Sequence, residues 1–317
     1  MPNILSNTAI IGRMLLVVGG SPNIRDTFIT QLDRVGIPYR LLIQPSKSTT
    51  HFPKNKGLEV AIVSFTDERG IRAAMQDVSV VYHLSGFEES GKHPDLSETD
   101  IDGLGVITRS ALLNRVDRFF YLSSIGADRA SGFYFLKAKG IAEAIIRDSG
   151  IDATIVRTSQ IFGAGDMFTT VLSRLIKGFR LLTPIPADST VMMQPLWVDD
   201  LTAALVWSLD MSNTRNQLFE IGGPEQISLE RMLLIIAEKL KTKPHLAPYN
   251  PHKNNLVTLF LENALHGFPD LVYWSDFIAP SRICAMDSMP RQFGINPARF
   301  HMKLDFLENN SKKRSSI

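Results

Sequence analysis

The stretch Met14–Arg25, MLLVVGGSPNIR, decides the fold of this 317-residue chain. It begins with an apolar run rich in branched side chains, which is typical of a buried parallel strand. Gly19 and Gly20 then indicate a tight turn, and Asp26–Leu32 begins a helical pattern with apolar residues on one side. A strand that enters a helix through a glycine turn presents unpaired N–H groups and the positive end of the helix dipole. The stretch therefore predicts an anion site.

Strands and helices continue to alternate along the first half of the chain. Strands are predicted at 39–43, 58–63, 78–84, 118–122 and 153–157, and helices at 68–75, 101–113 and 135–149. The predicted helix caps are Thr66 or Asp67, Asp199 or Asp200, and Ser228. This alternation is typical of an α/β fold with a doubly wound parallel sheet.

The regular alternation lapses after residue 165. We predict a loose N-terminal arm at 1–13 and a strand–helix domain at 14–165. A smaller and mostly helical C-terminal region at 166–306, with segments that return to the sheet, is followed by a basic tail at 307–317. Within the C-terminal region, 254–265 is amphipathic and 267–279 concentrates aromatic residues. They fit either a cap packed on this region or a surface for a protein partner or lipid headgroups. Met1 and Met14 both stay open as the natural start.

Composition and charge exclude several classes of protein. The net charge is only +2 and no domain-wide basic field is present, which argues against nucleic acid as a partner. The single cysteine, Cys284, cannot form an intrachain disulfide, so the chain fits a reducing compartment. No apolar run approaches the ~20 residues of a membrane-spanning helix, and residues 1–13 do not resemble a signal peptide. The seven histidines show no metal-ligand spacing. We predict no metal, and a cytoplasmic location or peripheral attachment to the inner face of a membrane.

The glycine turn departs from the pattern that binds dinucleotide pyrophosphates, G-x-G-x-x-G or G-x-x-G-x-x-G. In the second register the chain has Gly19, and then Pro22 and Arg25 in place of glycines. Pro22 lacks an N–H group and Arg25 is bulky, although a guanidinium can pair directly with a phosphate. Gln44 and Lys47 follow the second strand, where an adenosine ribose is recognised, and Lys47 slightly favours NADP over NAD. These residues leave both altered dinucleotide binding and an empty loop open.

Several stretches between residues 14 and 240 together resemble a known family, and they follow each other in that family's order. They are VVGGSPNI, VVYHLSG, RFFYLSSIGA, KGIAEAIIRDSG, ATIVRTSQIFGAGD, PLWVDD and FEIGGPE. The chain resembles the atypical and extended short-chain dehydrogenases/reductases, in particular the NmrA-like proteins and the relatives of the 39 kDa accessory subunit of respiratory complex I. The resemblance implies a Rossmann-type NAD(P)-binding domain at 14–165.

The same resemblance implies where NAD or NADP would bind. It places the dinucleotide over Gly19–Ile24, adenine near Phe65, and ribose or nicotinamide near His83, Ser85 and Gly86. Together with the residues considered above, the candidate cofactor-binding set is Gly19, Gly20, Ser21, Asn23, Ile24, Arg25, Gln44, Lys47, Phe65, His83, Ser85, Gly86 and Lys139.

The catalytic residues that the resemblance implies are incomplete. Active members of the superfamily use a tyrosine and a lysine four residues apart for proton transfer, helped by a serine or threonine. Lys139 and Ser124 stand in the lysine and serine positions, but Phe135 stands in the tyrosine position and has no proton to transfer. Tyr134 is one residue earlier, about 100° away around a helix, and could serve only if the helix begins later than predicted.

Three functions remain open from the sequence, since many functions share this fold. The favoured one is a non-catalytic accessory or assembly subunit of a larger, membrane-bound redox complex, because Pro22, Arg25 and Phe135 together weaken the reductase site. The alternatives are an active NAD(P)-dependent oxidoreductase or epimerase-like enzyme, and an NmrA-like dinucleotide sensor. Ser124, Lys139 and Tyr134 are the catalytic candidates if the chain is active.

Overall fold

The computed structural model describes residues 14–45, 58–84, 98–179, 183–186, 191–249 and 277–308. The strands in chain order are β1 (Met14–Val18), β2 (Tyr39–Ile43), β3 (Glu59–Ile62), β4 (Val78–His83), β5 (Arg118–Ser124), β6 (Ala153–Thr158), β7 (Ile161–Phe162), β8 (Thr183–Pro186), β9 (Met192–Met193), β10 (Leu196–Trp197), β11 (Gln217–Ile221), β12 (Ile227–Ser228) and β13 (Leu246–Tyr249). The α-helices are α1 (Pro22–Val35), α2 (Glu68–Ala74), α3 (Gly103–Leu113), α4 (Tyr134–Ser149), α5 (Met167–Gly178), α6 (Val198–Trp207), α7 (Leu229–Lys239) and α8 (Ser288–Phe293).

A seven-stranded sheet forms the centre of the fold, in the order β11-β6-β5-β4-β1-β2-β3. β1 pairs in parallel with both β2 and β4, and β2–β3 and β4–β5 are also parallel. The strand order reverses between β1 and β4, which is the position where ligands bind in open α/β sheets. The predicted Rossmann-type, doubly wound fold class is confirmed.

Alternating residues of the central strands fill the core on the two faces of the sheet. On one face Tyr82 stacks on Phe120 and contacts Phe28 of α1, with ring centroids 4.3 and 4.7 Å apart. On the other face Leu16 and Val18 belong to a buried apolar cluster with residues of α3 and α4. This two-sided burial explains why β1 reads as a continuous apolar run in the sequence.

Arg118 attaches a later segment of the chain to this sheet. Its guanidinium donates to the carbonyl oxygens of Ser208 and Leu209, just after α6, at 2.8 and 3.3 Å, and also to Thr214 Oγ1. It lies over the ring of Phe120 at 4.4 Å. A cation at the carbonyl end of a helix is favourable, so this buried arginine holds the returning segment in place.

Contacts divide the chain into two compact units. The first contains the described residues from Met14 to Arg157 together with the returning segment Leu201–Phe219, and the second contains Thr158–Asp200 and the described residues from Glu220 onward. In the second unit, short strands accompany α5, α7 and α8. The predicted domain boundaries stay a prediction. The predicted arm, the basic tail from residue 309, the segment 254–265 and residues 267–276 lie outside the described residues.

Helix starts are where the sequence-based expectations were least accurate. The first helix begins at Pro22, not near Asp26, because proline already has the backbone angle of the first helical position. The prediction that Asp199 or Asp200 caps a helix was wrong: α6 begins at Val198, so both lie in its first turn. Asp200 instead accepts a hydrogen bond from the backbone N–H of Ala298 at 2.7 Å.

Two predicted caps are confirmed by their hydrogen bonds. The Asp67 carboxylate accepts from Gly70 N–H, and Ser228 Oγ accepts from Arg231 N–H, both at 3.1 Å. None of the helices in the described ranges is long and apolar enough to cross a membrane.

Replacing Gly140 in α4 by alanine tests how closely this helix packs. A Cβ atom at Gly140 would lie 2.3 Å from the carbonyl carbon of Asp128 and 2.4 Å from the backbone nitrogen of Arg129. Because these are backbone atoms, we expect G140A to lower the free energy of unfolding by about 2–3 kcal/mol, measured by denaturant unfolding. Gly132 has no atom within 4 Å of an added Cβ, so G132A is the matched control. Equal stability of the two variants would contradict the packing.

Candidate functional site

The turn between β1 and α1 keeps the geometry of an anion site. Gly19 and Gly20 have φ angles of 60° and 97°, a left-handed region that favours glycine. A Cβ atom at Gly20 would lie 3.1 Å from the Cβ of Leu84 and 3.3 Å from that of Arg25. Pro22 occupies the first position of α1, where a backbone N–H group would have no acceptor within the helix. The departures from the glycine pattern therefore leave the turn intact.

Ser21 provides a test of whether a phosphate fits this turn. It is the N-cap residue of α1, but its side chain makes no capping hydrogen bond. Its Oγ is buried and has no hydrogen-bond partner within the described part of the chain. A buried hydroxyl without a partner is unfavourable, and an anion at the helix N-terminus would satisfy it. The residues present thus fit a nucleotide phosphate.

Three further loop candidates, Asn23, Ile24 and Arg25, are buried in the first turns of α1. Arg25 is 5% exposed, and its Nε donates to Asp26 Oδ1 at 2.9 Å. The guanidinium is thus paired with a carboxylate of the same helix, at a position where the family pattern has glycine.

His83 lies at the end of β4, beside the end of β1, since its backbone pairs with Val18. Its ring is fully buried among Phe65, Phe119 and Tyr121, with ring centroids 6.2, 6.4 and 5.5 Å away. Neither imidazole nitrogen has a hydrogen-bond partner among the residues described. Burial lowers the pKa of His83 to about 4, so the imidazole is neutral at physiological pH.

Lys139 is part of a buried polar cluster. Its ammonium donates to Asp100 Oδ1 at 2.8 Å, to the Tyr121 hydroxyl at 3.2 Å and to the Leu122 carbonyl at 3.3 Å. The Tyr121 hydroxyl also donates to Asp100 Oδ1 at 2.9 Å. Burial and the nearby Asp100 carboxylate raise the pKa of Tyr121 well above its ordinary value. This phenol therefore stays protonated and holds the carboxylate.

The candidate Ser124 and its neighbour Ser123 belong to two different hydrogen-bond arrangements. Ser124 ends β5, is buried, and donates to the carbonyl of Ile125 at 3.3 Å. Ser123 donates to the buried carboxylate of Glu143 at 2.7 Å. Glu143 also accepts hydrogen bonds from Arg147 and Arg157 at 2.7–2.8 Å, so Ser123 belongs to an ion-pair network of α4.

Tyr134 does not share the burial of the cluster around Lys139. The helix begins at Tyr134, one residue earlier than predicted, and this side chain is 48% exposed. The condition under which Tyr134 could replace the missing phenol, a later helix start, is therefore not met. Phe135 is partly buried one residue further along the helix.

The remaining candidates are distributed as follows. Phe65 is buried close to His83, and Gln44 follows β2 at the same end of the sheet. Lys47, Ser85 and Gly86 lie outside the described residues. In the ranges that the structure describes, no three or more histidine, cysteine, aspartate or glutamate side chains form a group that could hold a metal ion.

Sequence reasoning missed Asp100 and Tyr121, the two residues that hold Lys139. Asp100 lies in a π-helical turn, Glu98–Asp102, which leads into α3. Tyr121 looks like one more apolar residue of β5. The acidic residues before α3 were the one sequence feature that pointed to this site, and they did not indicate that Asp100 binds Lys139.

Changing His83 to glutamine tests the buried neutral imidazole. Its unfolded-state pKa of 6.5 falls to about 4 in the folded protein, so the unfolded chain binds more protons between these values. His83 therefore contributes stability that is present above pH 6.5 and is lost as the pH falls toward 4. Between pH 6.5 and pH 4, we expect the free energy of unfolding of wild type to fall by up to about 3 kcal/mol more than that of H83Q, measured by urea unfolding. The exposed His301 gives a control, H301Q, that keeps the wild-type slope; a wild-type slope in H83Q would contradict the assignment.

Comparison with known proteins adds to this geometry. Residues 23–166 match a family model described as NAD(P)H-binding. The chain is 26% identical over 182 residues to NADH dehydrogenase [ubiquinone] 1 alpha subcomplex subunit 9, mitochondrial, of Arabidopsis thaliana, covering 56% of this chain and 44% of that protein. It is also 26% identical over 217 residues to the mitochondrial NADH-ubiquinone oxidoreductase 40 kDa subunit of Neurospora crassa, covering 68% and 56%. The chain thus spans about half the length of the curated relatives it matches.

Solved structures share the fold. UDP-glucose 4-epimerase of Thermus thermophilus, solved in complex with NAD, has a TM-score of 0.69 at 15% identity and covers 94% of this chain and 99% of that one. An epimerase of Methanothermobacter thermautotrophicus has a TM-score of 0.71 at 16% identity, with 97% and 96% covered. Fold, motif order and sequence relatives agree: residues 23–166 match the NAD(P)H-binding family model on a Rossmann-type sheet, and together they support the resemblance to the atypical short-chain dehydrogenases/reductases.

Proposed function

We propose that this protein is an NAD(P)-binding but non-catalytic accessory subunit of a larger assembly. The proposal rests on one combination of residues: Phe135 stands where a tyrosine is needed, and the Lys139 ammonium is already hydrogen-bonded inside the protein. The position that would need a phenol has none, and the lysine ammonium already contacts Asp100, Tyr121 and Leu122. Neither group is arranged for proton transfer to a substrate.

Nucleotide binding is supported by the β1–α1 turn. Gly19 and Gly20 provide the bend, and Ser21 provides a buried hydroxyl without a partner among the described residues. A bound NAD or NADP would bring a nicotinamide that can carry hydride. In this chain we propose that the nucleotide stabilises the fold, since no phenol stands at position 135 to complete a reductase site.

Membership of an assembly is supported by the relatives. Their names describe mitochondrial NADH dehydrogenase subunits in organisms as distant as Arabidopsis thaliana and Neurospora crassa. We propose that this chain likewise binds protein partners in a multi-subunit redox complex, and that it lies peripherally on the inner face of the membrane that holds the complex. Nucleic acid is not part of the proposed function.

Ser21→Ala tests the nucleotide site. The change removes the buried hydroxyl, so we expect the affinity for NAD(P) to fall about 5- to 10-fold by calorimetric titration, while the nucleotide-free protein stays as stable as wild type. Ser110 is a matched control, because its Oγ is also buried without a described partner but lies in α3. Binding that is equally weak in S21A and S110A, or absent from wild type at millimolar nucleotide, would count against the site.

Native purification tests the accessory role. We expect a tagged chain expressed in its source organism to co-purify with a multi-subunit redox complex from mildly solubilised membranes, and to show no oxidation of NADH or NADPH by itself. Nucleotide released by denaturing the purified protein identifies the form that is bound. Recovery of only a monomer or homodimer would argue against the accessory role, and steady turnover that Lys139→Ala abolishes would establish an enzyme instead.

A further inference from the structure

Asp100 holds the ammonium of Lys139 at 2.8 Å in the interior of the first unit. The side chain of Asp100 is fully buried and that of Lys139 is 4% exposed, so bulk water screens neither charge. Tyr121 reinforces the pair from both sides, since its hydroxyl donates to Asp100 Oδ1 and accepts from Lys139 Nζ. The ammonium also lies 4.9 Å from the centre of the Tyr121 ring.

The backbone presents Asp100 to the lysine through an uncommon local structure. Asp100 is the central residue of the π-helical turn Glu98–Asp102, and α3 begins directly after it. Turns of this kind are rare and occur frequently at functional sites.

Lys139 would have to leave this carboxylate to hold a nucleotide ribose. Asp100 Oδ2 already has no hydrogen-bond partner within the described residues, so departure of the lysine would leave a buried and largely unsatisfied carboxylate. Removing one partner of a buried ion pair is strongly unfavourable, by roughly a hundredfold or more in the equilibrium constant. A ribose hydroxyl offers only a neutral hydrogen bond in exchange.

We propose that Asp100 is a positioning residue that sequesters Lys139 in the core and prevents it from acting as a nucleotide ligand. This inference rests on the proposed function and explains how a chain can keep the lysine of the superfamily without its reductase site. Lys139 then serves as the counter-ion that fixes the π-helical turn against α4 and β5. The dinucleotide is held through its adenosine and phosphate half alone.

Four proteins separate this role from ribose binding: wild type, D100N, K139M and the double variant. Each is titrated calorimetrically with NAD⁺ or NADP⁺, whichever wild type retains, and with the matching adenosine phosphate that lacks the nicotinamide riboside. In D100N the lysine has lost its counter-ion, so we expect the dinucleotide to bind about fivefold tighter than to wild type. The double variant should not show this gain. The affinity for the adenosine phosphate should be the same in D100N and wild type. K139M alone should change the affinity by less than about twofold.

Two results of the titrations would overturn the proposal. One is a tenfold loss of dinucleotide affinity in K139M with unchanged fragment binding, since Lys139 would then hold the ribose in the native protein. The other is unchanged dinucleotide affinity in D100N, since the carboxylate would then not restrain the lysine.

Thermal unfolding of the same four proteins gives a measurement that needs no nucleotide. D100N and K139M should each lower the melting temperature by roughly 5–15 °C, and the double variant by clearly less than the sum. The exposed pair of Lys239 with Asp305 gives the control, because D305N should shift the melting temperature by at most about 3 °C. Additive losses would overturn the proposal. If none of the four proteins binds nucleotide, the proposed function fails, while the thermal comparison still decides whether Asp100 restrains Lys139.

Discussion

Backbone hydrogen bonding of β1 on both sides is the constraint on which the rest of the first unit depends. β2 lies on one side and β4 on the other, so the chain after Val18 must leave the sheet where the strand order reverses. Gly19 and Gly20 make this exit with left-handed backbone angles, and α1 follows at once. The same pairing brings the end of β4, with His83, next to the turn.

Buried charged groups in this unit are compensated in different ways. Lys139 has a carboxylate partner, Asp100, with a phenol between them. Arg118 is bound mainly by carbonyl and hydroxyl oxygens and by an aromatic ring. Each arrangement connects segments far apart in the chain, because the unfavourable desolvation of a buried charge is offset only where several elements supply partners together. These charged groups therefore serve the architecture of the unit.

The two ends of the candidate site differ from the superfamily pattern to different degrees. At the phosphate end, Pro22 and Arg25 replace glycines, yet the turn and the helix start are preserved, because proline suits the first helical position. At the catalytic end, Phe135 removes the phenol of the superfamily pattern. Tyr134 begins the helix and is half exposed, and the buried Tyr121 hydroxyl is bound to Asp100. Both changes support the proposed function, in which the chain binds a nucleotide and does not turn it over.

The sequence by itself determined the strand–helix alternation, the glycine turn and the missing phenol, because each depends on residues that are adjacent in the chain. The Asp67 and Ser228 caps are local in the same way, and both were predicted. Tertiary structure alone decided that Lys139 lies against Asp100, 39 residues away, and that Asp200 accepts from Ala298. Such partners are set by how the turn before α3 meets α4 and how the later segments return. The hydrophobic periodicity of a sequence does not indicate such long-range contacts. Neither the sequestered Lys139 nor the buried, neutral His83 could therefore be predicted from the sequence.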